Sequence, residues 1–269
     1  MTGGIAAHLV LTLLVCAVAA LALLLATFAV ALRVGRYSVV DTVWGLGFAV
    51  VAAAAFLTSL GHGDDTRRLL LLAATVIWGV RLAVHIGLRS RGAGEDPRYA
   101  DMLEKAPGSP RTYALRKVFL TQAGLVWLIS IPVQAGMFAR GRPGAVLLVG
   151  AVLWLIGLVF ESVGDWQLSQ FKKDRRNRGT IMDRGLWRYT RHPNYFGDAC
   201  VWWGLFLMSC GSWWMLATIF SPLLMTFLLT AGSGKPITEG RMAGRPGYAE
   251  YIARTSGFFP LPPRRRPVS

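Results

Sequence analysis

Residues 185–198 read GLWRYTRHPNYFGD, and within them the chain passes from its most basic segment into an apolar one. Arg188, Arg191 and His192 stand just ahead of Pro193, while Asn194 and Asp198 follow at a spacing of four. Proline is favoured in the first turn of a helix, where its missing N–H costs nothing, so a helix is predicted to start here. Its free backbone donors then lie beside a cluster of cations, an arrangement suited to an anion such as a phosphate. The segment beyond Asp198 is almost wholly apolar, which sets this helix start at a membrane surface and makes the fold one of helices in a bilayer.

The rest of the chain agrees. Of 269 residues, 54% are hydrophobic, and they gather in blocks longer than the core helix of a soluble protein needs. A bilayer crossing takes about 20 apolar residues. Seven blocks serve as spans, at approximately 5–32, 39–60, 69–88, 118–138, 145–168, 195–210 and 213–231. The expectation is an all-α integral membrane protein, with residues 1–269 forming a single membrane domain. The first block does not read as a secretory signal, because its first basic residue, Arg33, follows it instead of preceding it. A net charge of +15 and a pI near 10.7 invite a nucleic-acid reading. Cytoplasmic loops of membrane proteins carry such an excess anyway, so no nucleic-acid partner is expected. Cys16, Cys200 and Cys210 are scattered and give neither a disulfide framework nor a metal spacing. Packing is their expected role, and no metal site is expected.

The connections test the topology. The loops after the first, third and fifth blocks and the tail after the seventh hold 24 of the 29 Lys and Arg residues, against 4 in the alternate loops. By the positive-inside rule the N-terminus is outside and the C-terminus cytoplasmic, in a multi-pass protein of the plasma membrane. No internal repeat or low-complexity segment is present, and the ending PLPPRRRPVS reads as a frayed cytoplasmic tail.

Ionisable groups inside spans cost about 2.5–3.5 kcal/mol each on insertion scales, so they are kept for a cavity, a partner or a ligand. Arg81, His85 and Arg89 recur at four-residue spacing on one face of the third span, with Trp78 one turn before Arg81. Glu161, Asp165, Ser169 and Lys172 form a similar stripe at the end of the fifth. Both stripes, Asp41 at the mouth of the second span, and the 185–198 motif point to one cytoplasm-facing site. Each residue alone also has a plainer reading. Arg81 serves equally as structural glue to Glu161 or Asp165, Asp41 as a helix N-cap, and the 172–178 run as a solvated loop. Trp202, Trp203, Trp213 and Trp214 read as interfacial belts. The loop at 89–117 mixes charges of both signs around Glu95, Asp96, Pro97, Arg98 and Tyr99, and reads as a lid or a surface turn. RPGYAEY, residues 245–251, reads as an interfacial helix beneath the site or as an anchor.

With GLWRYTRHPNYFGD, WGVRL, GEDPRY, ESVGDWQLSQFKKD and RPGYAEY…FFP, the chain resembles the DUF1295 membrane proteins over residues 30–262 or so. That family is related to the C-terminal domain of steroid 5-alpha-reductases and to sterol reductases. The resemblance implies a seven-helix fold enclosing NADPH, which reduces a carbon–carbon double bond in a lipid-like, sterol-like or fatty-acyl substrate. It implies cofactor contacts from Asn194, Asp198, Asp165, Lys172, Glu161 and Arg81, with His85 and Arg89 continuing the face of Arg81. Arg188, Arg191, His192 and Tyr248 complete the expected cofactor-binding set. Steroid 5-alpha-reductases place a tyrosine where this chain has Trp78, paired with an earlier glutamate that is also missing, so the substrate half departs from the pattern. His85, Tyr99 and Asp41 are the candidate proton donors, by location. Membrane methyltransferases share an RHPxY element, and Glu239 keeps a role with S-adenosylmethionine open as an alternative. A lipid-binding protein without enzymatic activity is a third reading.

Overall fold

The computed structural model describes residues 3–141 and 144–264. Every regular element among them is helical, apart from an isolated bridge between Thr190 and Ser256. Among the described residues, six helices are long and apolar enough to cross a membrane: Gly4–Val34, Val39–Thr58, Asp65–Arg89, Pro110–Gly136, Ala145–Lys173 and Trp213–Met242. A further helix, Pro193–Ser209, has 17 residues. The chain divides into two compact units, Met1–Leu148 with Met208–Ser221, and Val149–Leu207 with Pro222–Ser269.

In the first unit, α1 (Gly3–Val34), α2 (Val39–Thr58) and α3 (Asp65–Arg89) are followed by two short helices, α4 (Pro97–Glu104) and α5 (Pro110–Ala114). Both short helices begin on a proline, which suits the first turn. A π-helical turn, Leu115–Leu120, then leads into α6 (Thr121–Ile129) and α7 (Ile131–Gly136). The fourth apolar helix thus starts eight residues before the position expected from hydropathy alone. Where α2 meets α3, a Cβ on Gly45 would run into the Gly79 carbonyl, and one on Gly79 into that of Gly45. Such close backbone approach is how helices pack where lipid supplies no hydrophobic drive.

The second unit is built on α8 (Ala145–Lys173) and α9 (Pro193–Ser209), followed by α10 (Phe220–Thr230), α11 (Lys235–Met242) and α12 (Tyr248–Arg254). Gly150 and Gly157 on α8, and Gly197 and Gly204 on α9, recur at seven-residue spacing and meet in one seam. An added Cβ at Gly197 would lie 2.5 Å from the Glu161 nitrogen, and one at Gly204 would lie 2.6 Å from the Trp154 nitrogen. Pro193 packs on Gly164 at the end of the seam, which fixes the start of α9 beside the polar end of α8. Trp203 donates to the Thr226 hydroxyl at 3.1 Å and ties α10 to α9.

Two tryptophan and tail expectations change. Trp202 is fully buried, because it sits nine residues into α9, roughly 13 Å along the axis, far from the helix end that an interfacial belt requires. Trp213 is 85% exposed. The tail up to Arg264 is docked: Leu261 N–H donates to the Tyr189 carbonyl at 3.0 Å and Arg264 N–H to that of Arg254 at 2.9 Å. The remainder of the expected frayed end, residues 265–269, lies outside the described residues. Cys16 and Cys200 are buried and Cys210 is half-buried, all as free thiols, in keeping with packing roles.

Candidate cofactor-binding site

The second unit contains a cavity of about 360 Å³. Its first wall is the end of α8, which runs on through Lys172 and so carries Glu161, Asp165, Ser169 and Lys172 on one helix. Glu161 and Asp165 are buried at 3% and 6% exposure, while Lys172 emerges on the cavity. The loop after α8 folds back at once. The Asp174 carboxylate accepts the Arg176 N–H at 3.0 Å, and the Asn177 side-chain amide donates to the Phe171 carbonyl at 2.9 Å. Gly179, at φ 81°, turns the chain so that Arg178, Thr180 and Met182 line the cavity.

The 185–198 motif supplies the second wall. A 3-10 turn, Gly185–Arg188, is pinned to α8 by Leu186 N–H to Gln167 Oε1 and by the Trp187 indole N–H to the Gly164 carbonyl, each at 3.0 Å. The Arg191 N–H donates to the Ser256 carbonyl at 2.9 Å, and the Thr190 hydroxyl to that of Phe258 at 2.8 Å. The tail and the motif are therefore one piece of structure. Helix α9 begins at Pro193 as expected, with the first-turn bond from Phe196 N–H to the His192 carbonyl.

The third wall is α11 with α12. Tyr248 and Tyr251 are buried, and the Tyr251 hydroxyl donates to the Trp187 carbonyl at 2.5 Å. RPGYAEY is thus a floor of the cavity. Burial raises the pKa of both phenols, so they remain protonated hydrogen-bond donors. Glu239 on α11 accepts from Arg191 Nε at 2.8 Å, and the same oxygen lies 3.1 Å from His192 Nε2. A carboxylate only accepts, so Nε2 carries the proton. Burial, opposed by Glu239 and assisted by Arg191 and Lys235, lowers the His192 pKa to about 4 and keeps the ring neutral near pH 7. Its ring stacks flat on Tyr195, with centroids 5.0 Å apart. Of the residues ahead of α9, the cation Arg191 faces an anion, and it is the protein's own Glu239. Arg191 also donates to the Thr255 carbonyl at 2.6 Å, so it braces the wall as well as lining it.

Of the expected cofactor set, Lys172, Arg191, His192 and Tyr248 line this cavity. Asn194 reaches Asp165 at 3.4 Å, and Asp198 is buried in the first turns of α9, both outside the lining. Arg188 is exposed at the end of its 3-10 turn and also lies outside it. Arg178, Arg245, Asn177 and Thr238 line it without having been expected. The two arginines lay in stretches whose charge topology alone accounts for. In Arg178-Gly-Thr and Arg245-Pro-Gly a turn follows the arginine directly, a signal that it stands at a bend and not along a solvated helix.

In the first unit, Arg81 and His85 are half-buried and Arg89 exposed, all on α3. Asp41 and Tyr99 come together: the Tyr99 hydroxyl donates to one Asp41 oxygen at 2.5 Å, and Arg98 donates to the other at 2.6 Å. Asp41 is therefore not an N-cap; Ser38 precedes α2, and Asp41 lies inside its first turn. Glu95 accepts the backbone N–H groups of Tyr37, Ser38 and Asp96. Burial works against its ionisation, but these donors outweigh burial and lower its pKa. The 89–117 segment is anchored at both points.

Residues 27–255 match the family model described as "Protein of unknown function (DUF1295)". The chain belongs to the DUF1295 family. Over 83 residues, this DUF1295 protein is 32% identical to 3-oxo-5-alpha-steroid 4-dehydrogenase 1 of Rattus norvegicus and 31% identical to that of Mus musculus. Each match covers 31% of this chain and 31% of the relative, so the similarity spans about a third of either protein. No solved structure matches.

Proposed function

We propose that this DUF1295 protein is a membrane-embedded reductase that uses NADPH to reduce a carbon–carbon double bond in a lipid-like, sterol-like or fatty-acyl substrate. The observation that carries the proposal is the cavity of the second unit, with Lys172, Arg178, Arg191 and Arg245 around an aromatic floor. That donor set suits phosphate groups, since guanidinium forks bind them in pairs and lysine binds them as a point charge. Trp187, Tyr248 and Tyr251 offer flat apolar surface for a purine. The volume lies at the lower end of ligand pockets and suits one nucleotide half. Similarity to a steroid dehydrogenase supports a reductase over other activities of membrane helices.

When bound, NADPH supplies hydride. The chain's own residues do the rest. Lys172, Arg178 and Arg245 bind phosphate oxygens, while Glu239 holds Arg191 and His192 in the wall. Glu161, Asp165, Asn194 and Asp198 orient the nicotinamide side. Trp78, fully buried and edge-on to Phe48 at 5.5 Å, has no hydroxyl to polarise a ketone. His85, Tyr99 and Asp41 are the candidate proton donors, and the Tyr99 hydroxyl is held by Asp41. The seven spans are the six long helices with α9, arranged in the plasma membrane with the N-terminus outside and the cofactor site facing the cytoplasm. The bilayer delivers the substrate.

The purified protein in detergent is expected to melt at higher temperature with NADPH, because a ligand held only by the folded state stabilises it. Asn194→Ala and Asp198→Ala should weaken that effect while leaving the ligand-free protein folded. Stabilisation by S-adenosylmethionine in place of NADPH would overturn the assignment in favour of methyl transfer.

A further inference from the structure

His8 and His62 stand far apart in sequence, on α1 and in the turn between α2 and α3, yet their imidazole rings are in contact. The centroids lie 4.2 Å apart with the planes inclined at 46°. The elements that carry them are fixed. One turn beyond His8, the Thr12 hydroxyl donates to the Thr58 hydroxyl at 2.9 Å, which sets the register of α1 against the end of α2. The His62 turn is bound on both sides, by His62 N–H to the Ser59 carbonyl at 3.0 Å and Asp64 N–H to the Ala139 carbonyl at 2.8 Å. Gly61 and Gly63 flank His62 in the left-handed region, at φ 77° and 74°, where a side chain is strained. At Gly63 an added Cβ would also meet the Met137 carbonyl.

The protonation pattern suits a ligand. His62 Nδ1 lies 3.0 Å from the Leu60 carbonyl; a carbonyl only accepts, so Nδ1 carries the proton and Nε2 keeps its lone pair. A metal-binding histidine characteristically donates its other ring N–H to a carbonyl or carboxylate in this way. His8 is exposed on the protein surface and His62 half-buried, so neither ring is enclosed by the rest of the chain, and the Phe138 ring packs on His62 at 5.7 Å. We propose that His8 and His62 form a two-histidine site for a divalent transition metal, with water completing the coordination. Imidazole suits copper, zinc and nickel, and Cu(II) is expected to bind most tightly of the divalent ions. No group of three or more His, Cys, Asp or Glu residues is placed to hold a metal among the described residues, so the pair is an exchangeable site and not a structural one. It shares no residue with the NADPH site.

The test is a Cu(II) titration of the full-length protein, without a polyhistidine tag, followed by electron paramagnetic resonance. The expected result is one equivalent of Cu(II) whose spectrum shows coupling to two imidazole nitrogens. His8→Ala and His62→Ala should each remove that species. Cu(II) that stays bound in either variant, or a spectrum without two imidazoles, would overturn the proposal. His8 is exposed, so His8→Ala keeps the test available if His62→Ala fails to fold. NADPH-dependent melting of the same variants should match the parent protein, which separates failure here from failure of the cofactor assignment.

Discussion

Substituting Gly197 by alanine tests how the site is held in register. The added Cβ would lie 2.5 Å from the Glu161 nitrogen and 2.6 Å from the Gly157 carbonyl oxygen, against 3.4–4 Å for ordinary contact. Both neighbours are backbone, so neither can rotate away, and α8 and α9 must part by about 1 Å. Overpacking of this kind costs about 1–3 kcal/mol. A suitable control is Gly124→Ala on α6, where an added Cβ meets nothing within 4 Å. Alanine gains up to about 1 kcal/mol of helix propensity at either position, so the difference between the two variants isolates the steric cost. Thermal unfolding in detergent, followed by tryptophan fluorescence, should show Gly197→Ala melting below the parent and Gly124→Ala at or above it. Parting the helices also moves Glu161 and Asp165 away from Asn194, so NADPH should stabilise Gly197→Ala less than the parent. Equal melting of the two variants would refute the seam as the element that positions the site.

Two further outcomes follow from the titratable groups. Burial and then the Asp41 carboxylate push the Tyr99 pKa upward, so the phenol stays protonated into alkaline solution. Tyr99→Phe should lower single-turnover reduction of an unsaturated lipid while leaving NADPH-dependent melting unchanged; unaltered turnover would remove Tyr99 from the chemistry. His192 titrates near 4 in the folded protein, below the ordinary value of about 6.5. The unfolded chain therefore binds the extra proton first, and this stability is complete above pH 6.5 and lost as pH falls toward 4. The slope is at most about 1.4 kcal/mol per pH unit, and melting between pH 7 and 4.5 should flatten in His192→Gln; an unchanged slope would assign the acid lability elsewhere.

The helices and the main polar stripe were legible in the sequence because they depend on periodicity. Apolar length marked the long helices, Pro193 marked the start of α9, and the spacing of Glu161, Asp165 and Lys172 marked one face of α8. The contacts that build the site were not legible, because they join residues distant in the chain. Arg191 and Glu239 are 48 residues apart, and Tyr99 and Asp41 are 58 apart; nothing local records either pair. The α8–α9 seam was written in glycines at seven-residue spacing, but a glycine in an apolar run carries no charge or polarity to draw notice. Arg178 and Arg245 were hidden differently: the alternation of basic loops alone explains a basic connection, so their turn into the cavity leaves no mark in a charge count. Trp202 misled because tryptophan is favoured at interfaces, and only its depth along α9 separates core from belt.

The most direct measurement is equilibrium binding of NADPH to the purified full-length protein, compared among the parent, Lys172→Ala, Arg178→Ala and Arg245→Ala. All three side chains line the second-unit cavity, and loss of a charge-assisted hydrogen bond costs about 1.5–3 kcal/mol, so each variant should bind roughly ten- to a hundredfold more weakly. A control in Arg33, exposed at the end of α1, should bind as the parent does. Saturable binding that weakens in the three cavity variants and not in Arg33→Ala is the predicted result; no binding, or binding indifferent to all three, would contradict it.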